Sequence, residues 1–331
     1  MAKLQLTIAC GDYDRTQALK DGTVQPEGVE LNYLRSVPGE TFWRMLNNEE
    51  FDASEMSLSS YTILRSQGDT RFTAIPVFPS RTFRHNGLYI NARSGIRRPQ
   101  DLRGKRIGVG DYEMTASVWV RALLQHDYQV RPEEMRWVAG GSVRGVERAD
   151  KVDIEPLAPG KSLEQCLETG EIDALISVMI PKAFAAGSKR IRRMFKNFRK
   201  VEVDYYRRTG IFPIMHTFAI KSELLEEHPW LAVSLYKAFV AARDLIYKRL
   251  YNTDALPASL PWLIDDIERS REVFGRNLWD YSIEGSRPTL EAFVGYMHEQ
   301  GLTPRRMTVE ELFTPHVSDA LTHYLQSTGE D

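Results

Sequence analysis

Cysteine is scarce: Cys10 and Cys166 stand far apart, with no CxxC pair or Cys/His cluster beside them, which excludes a disulfide framework and a structural zinc site. Both read as free thiols, and Cys10, at the end of the first strand, reads as a packed small residue. Long apolar runs are missing too. Nowhere do about 18 uninterrupted apolar residues occur, so no segment suits a membrane span. The first eleven residues hold one early lysine and a short alternating run instead of the continuous apolar stretch of a signal peptide, so the cytoplasm is the expected compartment. An excess of one charge is also lacking: 43 Lys and Arg against 45 Asp and Glu leave a formal charge of -2, and no global field gathers nucleic acid or anionic lipid. The chain has no GxxxxGK[ST], HExxH or GxSxG motif. Gly108-Val109-Gly110 sits between a strand and a helix, but position 113 is Glu113 where a dinucleotide loop needs its third glycine.

What is present is a chain of 331 residues, 42% hydrophobic, long enough for its core to divide into two lobes. Strand patterns at Leu4–Ala9 and Val29–Tyr33 flank a short helix, and helices at Thr41–Asn47 and Ser57–Leu64 precede strands at Phe72–Phe78 and Gly87–Asn91. A second α/β run follows, with strands at Ile107–Gly110, Met135–Val138 and Ile172–Ser177 around a long amphipathic helix at Thr115–Tyr128; Ser142–Pro159 reads as loop. Long helices at Leu231–Leu250 and Thr289–Gln300 close the chain. This order implies an α/β fold with mixed sheets flanked by helices and a ligand cleft between the lobes. The first lobe is expected to comprise residues 1–92 plus 211–331 and the second residues 93–210, joined by crossing strands, as in folds that hinge around a ligand.

Four clusters carry chemistry. Arg81-Thr82-Phe83-Arg84-His85-Asn86 follows a strand end and projects toward the cleft, where guanidinium forks match a carboxylate and a histidine exchanges a proton near neutral pH. Asp12-Tyr13-Asp14-Arg15 follows the first strand. Ser54-Glu55-Met56-Ser57-Leu58-Ser59-Ser60 and Asp111 to Ala116 place carboxylates and hydroxyls at helix starts, where capping is an equal reading for each alone. His216, in the apolar run Ile211–Thr217, is an ordinary candidate for a hydrogen-bonded core histidine. His85 and His216 with Glu55 or Asp12 would make a metal set, yet no short-range ligand spacing supports one.

In this order the clusters resemble the 4,5-dihydroxyphthalate decarboxylase family, which is related to the type 2 periplasmic binding proteins. The matching runs span nearly the whole chain: Cys10-Gly11-Asp12-Tyr13-Asp14-Arg15, Ser54-Glu55-Met56-Ser57, Phe83-Arg84-His85, Asp101 to Val109, Met114 to Arg121, Met215-His216-Thr217 and Glu299 to Leu302. The resemblance implies a type 2 periplasmic-binding-protein-like fold and a carboxy-lyase that removes one carboxylate from 4,5-dihydroxyphthalate to give protocatechuate, without an organic cofactor. On it, Arg84 with Arg81 holds carboxylate, His85 or His216 exchanges the proton, and Glu55 or Asp12 accepts from the catechol hydroxyls. Tyr13 and Thr115 position the ring, with Ser57 and Asp111 as further substrate contacts. The expected partner is a small aromatic carboxylate, with no nucleic acid or membrane, and the apolar C-terminal helices offer a surface for a homo-oligomer. The competing readings are a non-catalytic solute-binding protein of a transporter, built on the same fold, and an enzyme acting on another aromatic or heterocyclic acid.

Overall fold

The computed structural model describes residues 2–141 and 152–315. Strands β1 (Leu4–Cys10), β2 (Val29–Arg35), β3 (Ala53–Ser57) and β4 (Phe72–Ile75) alternate with helices α1 (Gln17–Lys20), α2 (Pro38–Asn48) and α3 (Leu58–Ser66). The chain then enters β5 (Leu88–Asn91), β6 (Arg106–Val109), α4 (Thr115–Tyr128), β7 (Arg136–Ala139), β8 (Asp153–Pro156), α5 (Leu163–Thr169), β9 (Ala174–Ile176), α6 (Lys182–Ala185), β10 (Ile191–Arg193) and α7 (Phe198–Thr209). It returns through β11 (His216–Lys221) and ends in α8 (Ser222–Glu227), α9 (Leu231–Leu250), α10 (Leu263–Phe274) and α11 (Ile283–Glu299).

Two mixed sheets result, ordered β2-β1-β3-β11-β4 and β10-β5-β9-β6-β7-β8. In the first, β1 pairs in parallel with β2 and β3, while β11 is inserted antiparallel between β3 and β4. β3 is buried along its whole length, as a central strand covered on both faces must be. In the second, β6 runs parallel to β7 and β9.

β5, expected in the first lobe, pairs with β9 and β10 in the second sheet, so the crossing precedes Leu88 and does not follow residue 92. The expected loop over Ser142–Pro159 contains β8, a short edge strand beside β7; its residues 142–151 lie outside the described part. α11 begins at Ile283, ahead of the expected Thr289, with Ser282 accepting from the Gly285 N–H and Pro288 accommodated in the second turn.

The lobes meet along α4. Every residue of α4 from Thr115 to Leu124 is buried. Trp119 Nε1 donates to the Ile214 carbonyl at 2.9 Å, and the buried Arg121 donates to the Tyr112 carbonyl at 2.6 Å and to Gln300 Oε1 at 2.7 Å. These bonds hold the start of α4 against the strand ends of the first sheet, which is where the candidate residues gather.

Candidate active site at the meeting of the two sheets

Glu55 is fully buried in β3, a place that penalises a carboxylate unless donors surround it. They do. The Gly11 N–H donates at 2.8 Å, the Tyr13 hydroxyl at 2.6 Å and His216 Nδ1 at 2.5 Å, while the Cys10 thiol lies 3.6 Å away. Register explains the meeting. Phe218 of β11 lies opposite Glu55 and His216 opposite Ser57, so Glu55, Ser57 and His216 share one face of the sheet, with imidazole and carboxylate on its diagonal. The turn after β1 completes the nest: Tyr13 folds back so closely that a Cβ on residue 11 would stand 2.6 Å from its ring, a position only glycine can occupy.

Burial alone would raise the Glu55 carboxyl, but the facing His216, its hydrogen bond and those from Tyr13 and Gly11 outweigh it, and the group is held below the usual carboxylate range. Burial and then the Glu55 charge push the Tyr13 hydroxyl and the Cys10 thiol upward, so Tyr13 stays a neutral donor and Cys10 a protonated, packed thiol. An ionised Glu55 keeps a proton on His216 Nδ1 and directs Nε2 outward from a partly exposed ring. The Phe42 ring packs edge-on against that imidazole, with centroids 4.8 Å apart.

Next to this pair a hydroxyl from the second lobe meets two from the first. Thr115, at the start of α4, lies 3.0 Å from the Ser57 hydroxyl and accepts from the Ser59 N–H at 3.0 Å, and the Ser59 hydroxyl lies 3.1 Å from both Ser57 and Thr115. Arg84 is half-buried. Its Nε contacts the Met215 sulfur at 3.1 Å, and no carboxylate pairs with it among the described residues. Burial lowers its pKa to about 10, which leaves the guanidinium charged at neutral pH and without a counter-ion. Because Met215 precedes His216, one short segment presents the imidazole and backs the cation.

Four of the expected residues lie elsewhere. Asp12 is exposed and pairs with Lys20 and Arg35, each at 3.3 Å, so Glu55 and not Asp12 faces the histidine. Arg81 is buried with its guanidinium donating to the Asp280 and Phe212 carbonyls at 3.0 Å and to Ser286, which makes it a brace for α11 and leaves no fork for a ligand. Asp111 directs its carboxylate at Gly141, where an added Cβ would meet it at 2.1 Å.

His85 turns from Glu55 toward α7. Its ring lies edge-on to Phe195 and Tyr205, with centroids at 5.3 Å, and Nδ1 is 4.0 Å from Glu202. Burial, and then the Arg208 charge, lowers the imidazole to about 4. Burial likewise raises Glu202 to about 7, against the opposing effects of the Asn86 N–H at 3.2 Å and Arg193. A carboxyl that binds its proton more tightly folded than unfolded loses stability as pH rises from its ordinary value toward 7; a histidine buried neutral loses it as pH falls below 6.5. Glu202→Gln should therefore gain stability over the wild type at pH 8 relative to pH 5, by on the order of 2 kcal/mol. Paired thermal melts at the two pH values check this, and an equal difference at both would refute it.

Nothing in the sequence pointed to Phe42, while Gly11, Ser59 and Met215 stood only as members of runs around named candidates and carried no role of their own.

No family model matches the chain. It is 38% identical over 323 residues to a 4,5-dihydroxyphthalate decarboxylase of Comamonas testosteroni, covering 95% of this chain and 98% of the relative. The chain belongs to the 4,5-dihydroxyphthalate decarboxylase family. A 4,5-dihydroxyphthalate decarboxylase of Pseudomonas putida is 37% identical over 215 residues, covering 62% of this chain and 83% of that one. The fold of this decarboxylase-family chain is that of the periplasmic binding proteins. A putative periplasmic sulfonate-binding protein of Methylobacillus flagellatus superposes with a TM-score of 0.58 at 14% identity, covering 99% and 96% of the two chains. The alkanesulfonate-binding protein of Xanthomonas axonopodis pv. citri, bound to MOPS, gives 0.53 at 12%, covering 95% and 99%. A desulfurization enzyme, DszB, gives 0.53 at 15%, covering 97% and 100%.

Proposed function

We propose that this chain is a carboxy-lyase that converts 4,5-dihydroxyphthalate to protocatechuate and carbon dioxide, using its own side chains without an organic cofactor. The observation that carries the reading is an imidazole, His216, oriented by the buried carboxylate of Glu55, with a half-buried Arg84, which pairs with no carboxylate among the described residues, held by the preceding residue, Met215. Arg84 holds the carboxylate that stays. The hydroxyl para to the departing carboxylate gives its proton to solvent, and the oxyanion pushes an electron pair onto the ring carbon that bears that carboxylate. This carbon takes a proton from Nε2 of a doubly protonated His216, while Glu55 balances the imidazolium charge and keeps Nδ1–H in place. The carbon–carbon bond then breaks, its electron pair restores the aromatic ring, and carbon dioxide leaves. The imidazole and the phenolate oxygen then recover their protons from solvent. Ser57, Ser59 and Thr115 offer hydroxyls to the catechol oxygens at the second-lobe side of the cleft. Closing off water strengthens each of these charge interactions.

The activity places the chain in the degradation of phthalates, and two unpaired buried thiols favour the cytoplasm as its compartment. No helix among the described residues is long and apolar enough to cross a membrane. Incubation of the purified protein with 4,5-dihydroxyphthalate, followed by ultraviolet spectrum and carbon dioxide release with and without chelator, tests the reading. Turnover insensitive to chelator is expected. Tight binding with no carbon dioxide would favour a solute-binding protein.

A further inference from the structure

Three consecutive apolar side chains, Val178, Met179 and Ile180, stand beyond the carboxyl end of β9, exposed to 51, 74 and 57%. Leaving such side chains in water forgoes about 1.5–3 kcal/mol of burial for each, and an uncovered patch marks a surface that meets something. Their position indicates what it meets. β9 lies beside β6 in parallel, so it opens on the same edge of the second sheet as the segment leading to Thr115. Ser177 is bound there: its N–H donates to the Gly87 carbonyl at 2.9 Å. A Cβ on Gly87 would stand 2.8 Å from the Ser177 carbonyl and 4.0 Å from Arg84 Cδ, which puts the root of the apolar tip against Arg84. The tip is itself fastened, by the Ser177 hydroxyl donating to the Met179 carbonyl at 2.6 Å.

The first lobe supplies a matching surface. Phe42 packs against His216, and its α2 neighbours Trp43 and Val37, the residue before that helix, are exposed to 57 and 68%. One apolar surface, from the first lobe, thus borders the imidazole, and another, from the second lobe, is rooted near Arg84. An aromatic ring anchored by a carboxylate on Arg84 needs such surfaces for its faces, whereas an aliphatic dicarboxylate of similar charge does not.

We propose that the Val178–Ile180 tip and Phe42 bind the two faces of the substrate ring, with Met179 and Ile180 setting the preference for aromatic over aliphatic dicarboxylates. The inference rests on the carboxy-lyase reading and names the part of the site that reads the ring. Its test is Met179→Ser with Ile180→Ser in the full chain. Both side chains are exposed, so thermal stability should be unchanged; KM for 4,5-dihydroxyphthalate should rise about 30-fold while kcat stays within about threefold, the loss of two partial burials. Met179→Leu should keep the wild-type KM. An unchanged KM in the double serine variant overturns the proposal. If the wild type turns over nothing, the carboxy-lyase reading fails and the ring surfaces are tested by calorimetry with phthalate and with succinate. Loss of phthalate affinity alone then supports them, and equal affinities or equal losses overturn them.

Discussion

His216→Ala should lower kcat for 4,5-dihydroxyphthalate decarboxylation by about 10³-fold while KM moves by no more than about threefold. Among the described residues His216 is the candidate carrier of the proton destined for the ring carbon, since Tyr13 is held as a neutral phenol bonded to Glu55 and His85 faces α7. Alanine removes the carrier but leaves Arg84 and the hydroxyls of Ser57 and Thr115 to bind substrate. Glu55→Gln should act through His216, costing about 10- to 100-fold in kcat, because an amide keeps the shape but not the charge that fixes Nδ1–H. Its KM should hold. Steady-state kinetics with direct measurement of carbon dioxide separates these effects, and wild-type kcat in His216→Ala would remove the imidazole from the mechanism.

Arg84→Ala has the opposite signature. A half-buried guanidinium with no carboxylate beside it among the described residues leaves its desolvation uncompensated until an anion arrives, so losing it should raise KM by about 10²- to 10³-fold, the range for truncating one member of a desolvated charge pair. Arg84→Lys restores the charge but not the planar fork, and partial recovery is expected. Arg81→Ala provides the contrast: its bonds to the Asp280 and Phe212 carbonyls hold α11, so it should lower the melting temperature and leave the KM of the remaining folded protein near wild type. An Arg84→Ala enzyme with unchanged KM, or an Arg81→Ala enzyme that loses affinity at full stability, would reverse the assignment.

The sequence showed much of the frame. Thr115–Tyr128 reads as an amphipathic helix and forms a helix over that range, although it is buried on every side as far as Leu124 because both lobes pack against it. The short edge strands were hidden, since β8 and β10 read Asp-Ile-Glu-Pro and Ile-Arg-Arg, the charged pattern that protects an open edge. α7 was hidden for another reason: two of its buried positions are Glu202 and Tyr205, so the apolar stripe that announces a helix is broken. In the site, Tyr13, Glu55 and His216 were visible one by one. The choice of Glu55 over Asp12 and of His216 over His85 depended on β11 lying antiparallel beside β3, which no local pattern reports. Arg81 and Arg84 are three residues apart and alike in sequence, and what separates them is carbonyls contributed from residues 212 and 280. Val178–Ile180 prolongs an apolar run and gives no sign of standing in water.

The antiparallel insertion of β11 also governs how the protein is made. Glu55 and His216 are 161 residues apart, and β3 and β4 have no common partner until β11 docks between them. During synthesis the second sheet, closed by residue 193, completes while the first still has an open edge and Glu55 still lacks its imidazole. Closing so long a loop costs about 4.5 kcal/mol of chain entropy on a logarithmic scaling and slows folding, so the catalytic half is the later to assemble and the one a chaperone would find unfinished.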